Sequence, residues 1–94
     1  MRPPPLADYV ITPHARFEMQ RRGLGEKTVR AILAAPEQWL EIGPGRVILQ
    51  SRVSLDAPKR TYLVRVFVDV DRHPAEVVTV YRTSKIAKYW RGEA

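Results

Sequence analysis

The sequence has 94 residues, which is room for one domain whose small core must draw on every apolar stretch. It contains no cysteine, which excludes disulfide frameworks, thiolate nucleophiles and cysteine-ligated zinc or iron–sulfur centres. Sixteen Lys+Arg against ten Asp+Glu leave a formal charge of +6, favouring an anionic partner such as RNA, DNA or an acidic protein, while 45% hydrophobic residues are too many for a disordered chain.

The opening Met1-Arg2-Pro3-Pro4-Pro5 is stiff and short of hydrogen-bond donors, and it lacks the apolar region of a signal peptide. Residues 1–8 are therefore expected as a flexible lead. Tyr9-Val10-Ile11 reads as a short edge strand or as an anchor for the helix that follows. Thr12-Pro13 starts that helix, because Thr12 can cap free backbone N–H groups and Pro13 suits the first helical position. The helix is expected from Pro13 to about Arg22, where Gly23 can take the left-handed conformation that stops it. Ala15, Met19 and Leu24 are expected in the core with Phe17 flanking them, and His14, Glu18, Arg21 and Arg22 share the other face. A second helix is expected from about Glu26 to Ala34 or Ala35: Val29, Ile32 and Leu33 give an apolar stripe, and Pro36 ends it.

Strands follow. Trp39 to Ile42 is short, and Gly43-Pro44-Gly45 is a turn. Arg46 to Val53 alternates, with Val47, Leu49, Ser51 and Val53 on one face and Arg46, Ile48, Gln50 and Arg52 on the other. After a loop over Ser54 to Pro58, the strand from Arg60 to Val70 carries Tyr62, Val64, Val66, Val68 and Val70 on one apolar face. A last long strand runs from Glu76 to Arg82. The expected fold is α+β: an N-terminal helical hairpin packed on a three- to four-stranded antiparallel sheet, with a short C-terminal helical tail. No apolar run approaches the ~20 residues that span a bilayer, so residues 1–94 are expected as a single cytoplasmic domain with no membrane partner.

Three constellations could carry chemistry. In the tail, Arg82, Lys85, Lys88 and Arg91 are spaced by three, and a helix there would gather them into one basic stripe beside Tyr89 and Trp90. Such a stripe suits phosphate contacts and base stacking, and it equally suits a solvated face with the aromatics as core anchors. At the other end, His14 and Glu18 stand four apart, so a carboxylate can orient an imidazole for general acid/base work. Cleavage of RNA by its own 2′-hydroxyl needs a base, an acid and cations for the phosphorane charge, and no metal; His14, Glu18, Tyr81 and Arg82 could supply them. The alternative pairs Glu18 with Arg21 or Arg22 and leaves His14 on the surface. Lastly, Arg52, Lys59, Arg60 and Arg65 could make the sheet surface a basic platform, or could pair with Asp69 and Asp56 across strands. His73 before Pro74 is a turn residue. Two distant histidines without an acidic cluster give no expectation of a metal, and no cofactor-binding pattern is present.

The opening helix His14-Ala15-Arg16-Phe17-Glu18-Met19-Gln20-Arg21-Arg22-Gly23-Leu24 and the ending Val78-Thr79-Val80-Tyr81-Arg82-Thr83-Ser84-Lys85-Ile86-Ala87-Lys88-Tyr89-Trp90 together resemble the two ends of a small bacterial family, the domain of unknown function 4258. The resemblance covers residues 12–91. That family is similar to the RelE-like toxin ribonucleases, which share a helical start followed by an antiparallel sheet. The resemblance implies an RNase toxin or a toxin-derived protein, neutralised by an antitoxin. It matches His14 to a leading histidine, Arg22 to the arginine before the glycine, and Tyr81, Arg82 and Thr83 to the closing strand motif. Many members place arginine four residues after the histidine, where this chain has Glu18; that swap either weakens a nuclease or makes Glu18 the partner of His14.

Three functions follow as expectations. The first is a metal-independent, toxin-type endoribonuclease acting on free or ribosome-bound RNA, with His14, Glu18, Tyr81 and Arg82 catalytic. Arg22, Arg52, Lys59, Arg60, Arg65, Thr83, Lys85, Lys88 and Arg91 would bind the nucleic acid. The second is a non-catalytic module that holds RNA or an acidic antitoxin-like segment. The third is a structural domain that dimerises through a sheet edge.

Overall fold

The computed structural model describes residues 3–92. In chain order these form β1 (Tyr9–Ile11), α1 (Pro13–Arg21), α2 (Glu26–Ala34), β2 (Gln38–Gly43), β3 (Arg46–Leu55), β4 (Arg60–Asp69), β5 (Ala75–Thr83) and α3 (Ile86–Tyr89). Both ends of α1 are set by the residues that announced it. The Thr12 hydroxyl accepts from the Ala15 N–H (3.1 Å) and donates to the Val77 carbonyl (2.9 Å). At the far end Gly23 has φ +65°, and the N–H groups of Gly23 and Leu24 donate to the carbonyls of Gln20 and Met19. This is the paired bonding of a left-handed helix terminus, with Leu24 and Met19 both buried beside it. Helix α2 buries Val29, Ile32 and Leu33 and ends just before Pro36.

The sheet corrects the expected architecture. It has five strands, not three or four, in the order β1-β5-β4-β3-β2, and it is not wholly antiparallel. Strands β2 to β5 form the antiparallel meander. Strand β1 lies alongside β5 and runs parallel to it, from Tyr9 opposite Ala75 to Ile11 opposite Val77. The reason is the connection: two helices and three strands separate β1 from β5, enough chain for the crossover that parallel pairing requires. Within the expected lead, Leu6 donates its N–H to the Leu33 carbonyl (2.8 Å) and packs against the core. Met1 and Arg2 lie outside the described residues.

The pairing register sorts the sheet into two faces. Val47 stands opposite Val68 and Leu49 opposite Val66, and with Val77, Val80 and the buried stripes of α1 and α2 they form the main hydrophobic cluster. The opposite face is also covered. Ile48, Gln50, Leu63, Arg65 and Asp69 are all buried there; the segment after β5 turns back across Gln50 and Arg65, while Asp69 faces Arg46 and Arg72. The Tyr89 carbonyl accepts from Gln50 Nε2 (3.1 Å), and the Gln38 side chain both donates to the Arg91 carbonyl (2.7 Å) and accepts from the Arg91 N–H (3.1 Å). These bonds also correct the expected basic stripe. Helix α3 is a single turn, Arg82 belongs to β5, and Arg91 lies past the helix end on a strap pinned by two glutamines.

Two features fix the sheet's outer end. Gly45 has φ +73°, and a Cβ there would sit 2.5 Å from Asp71 Cγ. Arg46 and Asp69 face each other across β3 and β4 in a two-pronged pair, Nε to Oδ1 at 2.6 Å and Nη2 to Oδ2 at 3.0 Å. The Arg46 hydrogen bond, aided by its charge and that of Arg72 and opposed by burial, holds the Asp69 carboxyl below its usual 3.8. Gly45→Ala is expected to cost about 1–3 kcal/mol through the left-handed backbone alone, with the clash added, as read by thermal melting. Asp69→Asn is expected to destabilise at neutral pH. Because the folded carboxyl titrates below the unfolded one, the contribution is fully present above about pH 5 and fades as pH falls through the folded value. Urea titrations of the two proteins should therefore converge in strong acid; a gap unchanged at pH 2 would refute the assignment.

Candidate nucleic-acid interface

Helix α1 presents the first part of the site. Glu18 is 7% exposed and accepts from Arg21 Nη1 (3.1 and 3.2 Å) and from Arg22 Nε (3.1 Å). Burial alone would raise this carboxyl; the hydrogen bonds from Arg22 and Arg21, with their charges, outweigh it and hold the group below 4.5. Glu18 therefore pairs with the two arginines. His14 stands exposed in the first turn, eight residues before Arg22, or roughly 12 Å along the axis at 1.5 Å per residue.

Arg22 brings the helix to the last strand. Its Cζ lies 5.8 Å from the centre of the Tyr81 ring. Strand β1 pairs with β5 only as far as Val77, so the rest of that edge of β5 is left for α1 and Arg22 to approach. Tyr81 in turn begins a polar row that crosses four strands. Tyr81 stands opposite Arg65, Arg65 opposite Gln50, and Gln50 opposite Gln38. Neighbours in the row are bonded: Arg65 Nη1 donates to the Tyr81 hydroxyl (2.5 Å), Arg65 Nε to Gln50 Oε1 (2.8 Å), and Gln50 Nε2 to Gln38 Oε1 (2.7 Å). The rings of Tyr89, Tyr81 and Phe67 surround the Arg65 guanidinium at 4.5, 5.6 and 5.8 Å.

The remaining cations are dispersed. Arg82 sits on the helix-bearing side, bonded to Asp56 (2.9 Å) and stacked over Tyr62 (4.6 Å). The Arg82 hydrogen bond, with a smaller one from Tyr62 and against burial, lowers the Asp56 carboxyl. Lys59 and Arg60 are exposed at the tip joining β3 to β4. Thr83 uses its hydroxyl to accept from the Lys85 N–H (3.1 Å), and Lys88 lies 5.3 Å from the Tyr89 ring. Arg52 is bound to Glu37 (2.9 and 3.1 Å) and stacked on Trp90 at 4.1 Å. The expected partners Asp69 and Asp56 are taken instead by Arg46 and Arg82. A groove of 440 Å³ lies elsewhere, between α2 and β3, with Lys27, Ile32 and Arg52 among its lining.

The structure thus gathers Arg22, Tyr81 and Arg65, places Arg82 on the other side of β5, and leaves His14 two turns away. Gln38 and Gln50 carried no site expectation from the sequence. The signal for Gln50 was a glutamine midway along an alternating strand, directly followed in its own face by Arg52; Gln38, at the start of β2, left none.

These observations describe a basic, mixed α+β protein whose polar row and paired arginines meet at the edge of its last strand. The chain belongs to the family described as a domain of unknown function (DUF4258), whose pattern matches residues 11–82. No curated protein and no solved structure matches the chain. Among the described residues no helix is long and apolar enough to cross a membrane.

Glu18 masks two cations, so removing its charge has a defined consequence. Glu18→Gln is expected to strengthen binding to a polyanion such as single-stranded RNA. It should also steepen the fall of log K with log salt by up to about 0.7 for each arginine released. An unchanged salt slope would show that Arg21 and Arg22 do not face the ligand.

Proposed function

We propose that the protein acts on RNA as a RelE-like, toxin-type endoribonuclease that needs no metal. The observation that supports this is Tyr81, a phenol beside Arg22 and bonded to Arg65 at the edge of β5. Its oxygen accepts from Arg65, so its own proton is free to be given away. In this proposal the 2′-hydroxyl oxygen attacks phosphorus while His14 takes its proton. The bond from phosphorus to the 5′-oxygen breaks, and Tyr81 protonates the leaving oxygen. The products are a 2′,3′-cyclic phosphate and a 5′-hydroxyl. Arg22 steadies the charge of the five-coordinate phosphorus, while Arg82 is held on the other side of β5 by Asp56.

The test is cleavage of free and ribosome-bound RNA by purified protein in the presence of a metal chelator. Cyclic-phosphate ends are expected, with Tyr81→Phe and His14→Ala each slowing the reaction about 10²–10⁴-fold. A protein that cuts neither substrate, and whose expression leaves growth unchanged, would overturn the proposal.

One observation favours a second reading, that of a non-catalytic module for RNA or for an acidic segment of an antitoxin-like protein. Glu18 already occupies Arg21 and Arg22, which blunts the charge a nuclease needs at the phosphate. Salt-dependent binding without any product, unchanged by His14→Ala, would decide for that module.

A further inference from the structure

Most arginines of this protein are paired, with Glu18 and Glu26 each serving two. Among the described residues, every arginine except Arg60, Arg65 and Arg91 forms an ion pair with a carboxylate. Arg60 and Arg91 are exposed, so water screens them. Arg65 is different: it is 8% exposed and has no carboxylate partner among the described residues. The other buried charges, Glu18 and Asp69, both have counter-ions. A buried cation without an anion is costly. The fold keeps the cation and builds a seat for it. Nε and Nη1 are held by Gln50 and Tyr81, and three rings line the guanidinium. Nη2 makes no hydrogen bond, yet no fully buried side-chain nitrogen or oxygen lacks a partner among the described residues. Nη2 therefore still reaches solvent, and it is the direction from which an anion can approach.

What covers this seat is weakly built. Helix α3 is four residues long, has no side-chain cap and buries no residue. Its Tyr89 ring lies on Arg65, its last carbonyl is held by the Gln50 amide, and Arg91 just beyond it is held by Gln38. A flat ring on a guanidinium, beside amides that read a carbonyl and an N–H, is also the contact set that a nucleobase would make. The family match ends at residue 82, so Arg65 lies within the family unit and its cover lies beyond it.

We propose that Arg65 is the anion anchor of a covered subsite on the second face of the sheet, taking a phosphodiester of single-stranded RNA whose base stacks where the Tyr89 ring now lies. This deepens the reading of the protein as one that acts on RNA, and rests on it for the choice of ligand. Tyr89 and the base compete for one guanidinium, so the apparent affinity is the intrinsic one multiplied by the fraction of molecules whose strap is open.

The test uses the full chain, an RNA tetranucleotide and inorganic phosphate, with binding read by titration calorimetry and stability by thermal melting. Arg65→Met is expected to fold with a lowered melting temperature, because Gln50 and Tyr81 lose their donor, and to bind the tetranucleotide at least tenfold more weakly. Tyr89→Ala is expected to bind it severalfold more tightly. Phosphate alone should bind more weakly than the tetranucleotide, and its binding should also be lost in Arg65→Met. Phosphate that binds as tightly as the tetranucleotide would overturn the RNA assignment. Arg65→Met that melts far lower yet binds unchanged would make Arg65 a structural tie and overturn the subsite. Should Arg65→Met fail to fold, Arg65→Lys keeps the charge and loses the planar fork; weaker binding at a preserved melting temperature supports the subsite, and unchanged binding overturns it. Binding that depends on Arg65 without any cleavage would keep this inference and remove the nuclease. Cleavage with binding indifferent to Arg65 would do the reverse.

Discussion

Thr12 holds this fold together at one point. Its hydroxyl caps α1 by accepting from Ala15, and the same oxygen donates to the Val77 carbonyl, while its own N–H bonds to that carbonyl as well. One residue thus ends β1, starts α1 and binds both to β5. The parallel pairing of β1 with β5 spans only three residues, too short to stand alone. Anchored by Thr12, it sets the path of α1 beside β5 and carries Arg22 to the edge where Tyr81 waits. The meeting of the chain's beginning and end is therefore a consequence of the Thr12 hydrogen bonds and of the apolar packing of α1 on β5, and not of charge.

Local chemistry made much of this legible. Pro13, Gly23 and Pro36 punctuate the helices through backbone restrictions that act regardless of context, and α1 and α2 fall where those residues place them. The alternation of Arg46 to Val53 and of Arg60 to Val70 assigned the faces of β3 and β4 correctly, because period two is rigid in a pleated strand. Strand β1 was only partly legible: three apolar residues carry no period, and a parallel partner more than sixty positions away leaves no local trace. The tail misled for a physical reason. Cations spaced by three fit a helix face, but the backbone there is claimed by Gln38 and Gln50, which are remote in sequence, so the helix stops after one turn. The candidate site was legible in its parts, Arg22 and Tyr81 among them, whereas the link between them depends on how α1 lies against β5.

The charge of +6 also takes a different meaning once its members are located. Arginine mostly serves as an internal tie here: Arg46 with Asp69, Arg52 with Glu37, Arg82 with Asp56. Among the described residues no lysine forms an ion pair. Lys27, Lys59, Lys85 and Lys88 are all exposed, as are Arg60 and Arg91, so these surface charges contribute to the long-range positive field. Such a field raises encounter rates with anions and is damped by salt. It does not by itself select a ligand; that falls to the few planar cations held in fixed geometry.

The polar row from Tyr81 through Arg65 and Gln50 to Gln38 is where that fixed geometry resides. Each member is oriented by its neighbour, since Arg65 spends two donors on the row and each glutamine both gives and accepts. In a buried setting such bonds are mutually strengthening, and leaving one partner out exposes the next to an unmet desolvation cost. The row therefore joins the edge of β5, where Arg22 meets Tyr81, to the strap that crosses β3 and β2. A ligand that engages Tyr81 and a strap that engages Gln38 draw on the same chain of donors, with the uncompensated charge of Arg65 at its centre. Ile48 and Leu63 close part of this face with apolar side chains; the row keeps a cation between them, and that cation is the physical reason to look for function on this face.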